Sequence, residues 1–285
     1  MQKSYILKVY IFFKGGEFIL NLLFTLNKNY IHILKNCIKS LLRFKAQEKY
    51  SIYIMHSDLT ENETNDLKSS FPSADFSFIY MDKELFSDFP ENKRYPKEMY
   101  YRIFAADFLP QTMDKVLYLD PDIIVINPID EFYSQDLGDN FYMACSHTRK
   151  FLTKVNMLRL GVDEDYPYIN SGVMLMNLKE LRKHQKKEEI LSYINDKGKN
   201  LILPDQDIIT ALYGGKTIIA DSLKYNMSDR LLSFHNASPA NKKIDLDWIR
   251  KNTVIIHYFG KNKPWKENYK GILDCFYKEI ENSSR

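Results

Sequence analysis

The chain has 285 residues, 45% of them hydrophobic and 27% charged, with a net charge of +3. That balance suits one globular domain with a sizeable core, and it excludes nucleic acid as the main partner, because tracking a phosphate backbone needs a concentrated basic face. Cys37, Cys145 and Cys275 are widely spaced, with no CxxC or Cys/His cluster, which excludes a disulfide framework or structural zinc site and fits a reducing cytosol.

Residues 1–13 are apolar apart from a few polar positions, but they lack a small-residue cleavage site. No apolar run approaches the roughly 20 residues that a membrane-spanning helix needs. Gly15-Gly16-Glu17 can be encoded by a purine-rich stretch like a bacterial ribosome-binding site, and Leu20 by an alternative start codon. Residues 1–19 are therefore expected to be an N-terminal extension outside the native protein. From there, short apolar runs alternate with amphipathic helices, which predicts an α/β sheet with crossover helices. Strands are expected over 20–26, 50–55, 76–81, 116–119, 123–126, 141–145, 173–176, 217–220 and 254–257. Helices are expected over 30–44, where Ile31, Leu34, Ile38, Leu41 and Leu42 form one stripe, after Thr60 with Glu63 as a capping box, and over 97–108, ended by Pro110. Further helices are expected over 178–194, 206–213 and, after a polar loop starting at Gly260, 272–280.

Two segments carry chemistry. In Asp120-Pro121-Asp122 an apolar strand runs into two carboxylates, at the end of the strand where ligands of open α/β sheets gather. Residues two apart in an extended chain point to the same side, so two hard oxygen donors can meet one divalent cation, and Pro121 stiffens the pair. The string His257-Tyr258-Phe259-Gly260-Lys261-Asn262-Lys263-Pro264-Trp265 ends another strand. A neutral imidazole at His257 can complete a two-carboxylate metal site. Gly260 allows close backbone approach, and Lys263 is a compact cation suited to phosphate.

These strings, together with Leu22 through Tyr30, Tyr101-Arg102, Asn170-Ser171-Gly172-Val173 and Leu203-Pro204-Asp205-Gln206-Asp207, closely resemble glycosyltransferase family 8. The resemblance covers about residues 21–265. It implies a GT-A fold, a Rossmann-like and mainly parallel α/β sheet flanked by helices, with a catalytic domain over 20–265 and a C-terminal helical tail over 266–285. It implies a retaining transferase that moves a hexose, glucose or galactose, from a UDP-sugar to a glycan, glycolipid or glycoprotein acceptor. Asp120, Asp122 and His257 would hold Mn²⁺, with Mg²⁺ as the alternative. Asp120 would also touch the ribose, and Thr25, Leu26, Asn27, Asn29 and Tyr30 would bind uridine. Gly260 and Lys263 would contact the diphosphate, and Arg102, Asn170, Asp205 and Gln206 would surround the donor sugar. The family often carries an acidic residue where this chain has Asn27, whose amide can both donate and accept hydrogen bonds.

Retention has two routes. In a front-face mechanism the leaving phosphate takes the acceptor's proton and Gln206 supports the developing positive charge. In double displacement a carboxylate attacks, and Asp207 is the nearest in sequence. The first is favoured, since an amide forms no good covalent intermediate; the catalytic set is Gln206, Asp205 and Asp207. Residues 86–96 and 151–168 are expected to overhang the site and help select the acceptor. The C-terminal lysines with Tyr269, Phe276 and Tyr277 are expected to belong to a packing helix, with contact to an anionic membrane as the alternative; a cytoplasmic protein is expected, with a peripheral place at the inner face of the membrane as that alternative implies. Two rivals are a haloacid-dehalogenase-like phosphatase, whose signature wants Thr or Val where Ile124 stands, and a sugar-nucleotide-binding protein without turnover.

Overall fold

The structure is a computed structural model that describes residues 18–44, 48–91, 96–147, 150–163 and 165–283. Its strands among these residues are β1 (Phe18–Thr25), β2 (Glu48–His56), β3 (Asp75–Tyr80), β4 (Lys115–Leu119), β5 (Ile123–Val125), β6 (Tyr142–Cys145), β7 (Asn170–Asn177), β8 (Thr217–Ala220) and β9 (Ile255–His257). Seven form one sheet in the order β3-β2-β1-β4-β7-β6-β8, and β5 pairs with β9 in a second, two-stranded sheet. In the large sheet only β7 runs against its neighbours β4 and β6; the other pairings are parallel. The expected mainly parallel α/β architecture is what forms.

Alternation along the central strands explains why both faces are covered. Leu20, Leu22 and Phe24 of β1 point to one core with Leu34, Ile38 and Leu41 of the helix Ile31–Leu42. Leu23, Tyr118 and Met174 point to the other with Tyr101 and Ile208. Parallel strands buried on both faces read as near-continuous apolar runs, and these do. A third core lies behind the small sheet, where Ile124 and Ile256 meet Leu232, Ile249, Phe276 and Ile280.

Several expected elements shift. β1 starts at Phe18, and Phe18 and Ile19 pair with Glu48 and Lys49 of β2, so the expected boundary at residue 20 falls inside a strand; residues 1–17 lie outside the described residues. The segment 97–108 is not one α-helix. It is a 3₁₀ helix, Lys97–Phe104, followed by a single α-turn, Ala105–Phe108. Tyr100 through Phe104 are buried consecutively, which no amphipathic stripe provides, and eight residues is long for a 3₁₀ run. The helix expected over 178–194 breaks into Leu178–His184 and Lys187–Lys197, where Gln185 turns extended and donates to Ile103 O at 2.7 Å.

Among the described residues, three α-helices longer than one turn were not foreseen, Lys150–Leu160, Asp229–Ala237 and Leu246–Asn252, nor were the single turns Asp130–Tyr133 and Ser222–Tyr225. Asp229–Ala237 and Leu246–Asn252 carry legible N-caps, Ser228 accepting from Leu231 N–H and Asp245 from Trp248 N–H. The segment after residue 266 packs on the domain. Its helix, Asp274–Asn282, buries Phe276, Tyr277 and Ile280, and Asn36 donates to the Tyr277 hydroxyl at 2.8 Å. Phe276 and Tyr277 are therefore core residues, unavailable to a membrane surface.

Candidate functional site

The segment Asp120-Pro121-Asp122 joins the large sheet to the small one. Asp120 N–H donates to Gly172 O at 2.8 Å, which extends the β4–β7 ladder, and the chain then makes a turn. The two carboxylates thus meet across a turn, not along an extended strand as expected; the fixed φ of Pro121 suits that turn. The third group arrives on β9. Its register sets His257 opposite Ile123, and Tyr258 N–H donates to Asp122 O at 3.0 Å. His257 Nε2 consequently lies 3.1 Å from Asp122 Oδ1 and 3.5 Å from Asp120 Oδ2, and ligand atoms of all three residues fall within 4.8 Å of one another.

The donor set fits a divalent cation. His257 Nε2 and Asp122 Oδ1 are buried, and despite their proximity neither makes a hydrogen bond of acceptable geometry. Unsatisfied buried polar atoms are costly; here they converge on a shared point instead of on each other. Behind the ring, His257 Nδ1 is 3.0 Å from Asn226 Oδ1, while Asn226 Nδ2 donates to Asn170 Oδ1 at 2.8 Å. The amide oxygen of Asn226 therefore faces Nδ1, which assigns a proton to Nδ1, so that whenever the ring is neutral its Nε2 lone pair faces the carboxylates. Two hard oxygens and one imidazole suit Mn²⁺ or a similar cation.

The electrostatics agree. Burial alone would lower the pKa of His257, but Asp122 and Asp120 raise it to about 9. Burial would raise both carboxyls, yet Arg102 and His257 hold Asp120, and Lys263 and His257 hold Asp122, below the usual range. Positive charge belongs at this point.

Arg102 organises the adjoining wall. Buried, it lies 3.0 Å from Asp120 Oδ1 and 3.2 Å from Asp205 Oδ2, with its guanidinium 4.3 Å from the centre of the Tyr118 ring. Tyr118 donates to Asp120 Oδ1 at 2.6 Å, and its hydroxyl is 3.2 Å from Thr25 Oγ1. Asp205 also accepts from Ser171 Oγ at 2.8 Å. Burial pushes the Asp205 carboxyl up despite Arg102, since Asp120 adds negative charge nearby. Gly172 completes the cradle: a Cβ there would stand 2.2 Å from His257 Cε1 and 2.6 Å from Asp120 Oδ2.

A cavity of about 1200 Å³ opens over these groups. Thr25, Leu26, Asn27 and Tyr30 line one side, Arg102, Asn170, Asp205 and Gln206 another, and Gly260 and Lys263 a third. Gly260 has φ +87°, a left-handed conformation that favours glycine. Lys263 pairs with Asp122 Oδ2 and donates to Tyr258 O at 2.8 Å. From the segments expected to overhang the site, Pro96, Leu152 and Tyr168 reach the lining.

Two expected site residues lie elsewhere. Asn29 is absent from the lining; its backbone N–H donates to Asn27 Oδ1 at 3.1 Å, capping the turn Lys28–Tyr30 and engaging that oxygen of Asn27. Asp207, expected in the catalytic set, is fully buried behind the cavity wall. It accepts from Arg159 at 2.9 and 2.8 Å, from the Tyr168 hydroxyl at 2.6 Å, and from Ile202 and Leu203 N–H at 2.7 and 3.2 Å. Its carboxylate ties the helix Lys150–Leu160 to the start of the helix Pro204–Tyr213. Residues that the sequence reading did not single out include Gly172 as cradle, the Tyr118 hydroxyl, Asn226, and His147. His147 packs on Phe259 with ring centres 5.1 Å apart. Both its ring nitrogens are buried without a hydrogen bond of good geometry, and burial together with His257 lowers its pKa to about 4, against the backbone of Asn226, which raises it.

A family profile described as Glycosyl transferase family 8 matches residues 21–269. The chain is 26% identical over 269 residues to a lipopolysaccharide 1,2-glucosyltransferase of Escherichia coli, covering 93% of this chain and 78% of that one. It is 23% identical over 261 residues to general stress protein A of Bacillus subtilis, covering 88% and 89%. Among solved structures, the galactosyltransferase LgtC in complex with donor and acceptor sugar analogues superposes with a TM-score of 0.76 at 24% identity, over 93% of this chain and 98% of that one; this likeness is one of fold.

Proposed function

The chain belongs to glycosyltransferase family 8 and is a hexosyltransferase, and from that premise we propose that it transfers glucose or galactose from a UDP-sugar, with retention, to a cell-surface glycan in a Mn²⁺-dependent reaction. The observation that carries the reading is the convergence of Asp120, Asp122 and His257 on one point beside the cavity, with two of their atoms left unsatisfied. Relatives named for lipopolysaccharide glucosyl transfer support a hexose donor and a glycan acceptor.

Asp120, Asp122 and His257 would hold the cation, which when bound supplies Lewis-acid stabilisation to the departing diphosphate. Lys263, already beside Asp122, would add a compact positive charge to the same leaving group. Arg102 and Tyr118 fix Asp120 through its Oδ1, which leaves Oδ2, on the side of His257, as the oxygen that would serve a cation. Thr25, Leu26, Asn27 and Tyr30 would receive the uridine, and Asn170, Asp205 and Gln206 the sugar. Gln206 lines the cavity and is linked to Asn170 at 3.5 Å. With Asp207 committed to five donors, the wall offers Gln206 and not a free nucleophilic carboxylate at this place, which supports the front-face route, in which the acceptor's proton passes to the leaving phosphate. The acceptor would be met at the cytoplasmic face of the membrane; among the described residues no helix is long and apolar enough to cross one.

The test is a donor screen. UDP-glucose, UDP-galactose and GDP-mannose are incubated with the protein and Mn²⁺, and nucleotide release is followed with and without EDTA. EDTA-sensitive release of UDP from one UDP-hexose is expected; release from GDP-mannose alone, or release unaffected by EDTA, contradicts the reading.

A further inference from the structure

The donor reading uses one part of the cavity and leaves the rest without a role. The unused wall includes the first turn of the helix Asp229–Ala237, the loop after Gly260, and His147. Its charges are uneven. Arg230, Lys261 and Lys266 line it, and no ion pair joins any of them to a carboxylate among the described residues. The carboxylate in that turn, Asp229, is already spent: it accepts from the Tyr269 hydroxyl and from Ile272 and Leu273 N–H at 2.9 and 3.3 Å. Arg230 is oriented by its contact with Phe234, 5.3 Å from the ring centre, and its charge reaches His147. His147 in turn presents two buried ring nitrogens without a hydrogen bond of good geometry, with only the backbone of Asn226 acting on the ring as a hydrogen-bonding group. Buried polar atoms without partners call for a ligand that supplies them, and a guanidinium without a carboxylate is the group best matched to a phosphate or carboxylate, which it can bind through two parallel hydrogen bonds.

We propose that this wall receives the acceptor, and that the acceptor is a glycan bearing an anionic group, a phosphate monoester or a carboxylate, held chiefly by Arg230 with His147 donating from beneath. The inference rests on the donor reading, because the diphosphate must occupy Lys263 and the metal position for this second anion site to be separate. It makes Arg230 a specificity residue that separates charged from neutral acceptors.

The experiment titrates the full chain, saturated with UDP and Mn²⁺, with glucose 6-phosphate, glucuronic acid and glucose at constant ionic strength. At least one anionic sugar is expected to bind about tenfold or more tighter than glucose. Arg230→Gln is expected to remove that preference, and His147→Asn to reduce it. Whichever of phosphate or uronate binds more tightly identifies the anion. Equal binding of all three sugars, or a preference that survives both substitutions, overturns the proposal. So does binding of the anionic sugars only when UDP is absent, because they then occupy the diphosphate position. Failure of UDP itself to bind with Mn²⁺ is a separate outcome, which removes the donor reading and this inference with it.

Discussion

At the scale of residues, a proton and a divalent cation compete for the same three side chains. Without metal, Asp122 and Asp120 outweigh burial and push the His257 pKa from its ordinary 6.5 up to about 9. A group raised in this way stabilises the fold fully below the unfolded pKa, and that contribution is lost as pH rises through about 9. The metal-free protein is therefore expected to lose thermal stability between about pH 7 and pH 9.5. Mn²⁺ needs the neutral ring, so binding at pH 7 should release close to one proton, and affinity should rise up to about tenfold per pH unit below 9. Calorimetry in buffers of different ionisation enthalpy measures this directly; binding without proton release would contradict the assignment of His257. Gly172→Ala should place a methyl against His257 and Asp120. A loss of roughly ten- to a hundredfold in Mn²⁺ affinity is expected, with an unchanged circular dichroism spectrum. Asp120, Asp122 and His257 were legible in the sequence because chemically distinctive residues end apolar runs. Asn226 was not, since nothing local marks an asparagine in a turn as the partner of a ring 31 positions away.

At the scale of elements, Asp207 is a tie between two helices. Replacing it with Ala strands Arg159, most of whose side chain is withdrawn from water, and leaves Ile202 and Leu203 N–H without their acceptor. Breaking a buried pair of this kind costs about 3–5 kcal/mol, so Asp207→Ala should lower the urea midpoint substantially, and no glycosyl–Asp207 adduct should be trapped in the wild type. Phe276→Ala in the C-terminal helix should cost about 3–5 kcal/mol by the same measurement, through the cavity it leaves; a neutral effect would mean that this helix does not complete the third core. The strands were legible because burial on both faces writes continuous apolar runs. The 3₁₀ helix Lys97–Phe104 was not, because consecutive buried residues, Arg102 among them, carry neither helical nor strand periodicity. The helix Lys150–Leu160 escaped because it leaves Leu152, Val155 and Leu158 exposed, so its apolar positions do not mark a core face.

At the scale of the whole molecule, the site exists because two sheets meet. The large sheet carries Asp120 at the end of β4, and the small one brings β9 back against β5, so that Lys263 reaches Asp122 across 141 positions of sequence. The family resemblance already implied that convergence; the turn at Pro121, the support from Asn226 and the close fit at Gly172 arise only from the folded arrangement. The central claim is that this junction binds a metal that activates a UDP-sugar. Its most direct test is Mn²⁺-dependent hydrolysis of the preferred UDP-hexose by the wild type and by Asp122→Ala, with folding of both checked by circular dichroism. The account predicts hydrolysis in the wild type and a loss of about two orders of magnitude or more in the variant. Metal-dependent hydrolysis retained by a folded Asp122→Ala protein would contradict it.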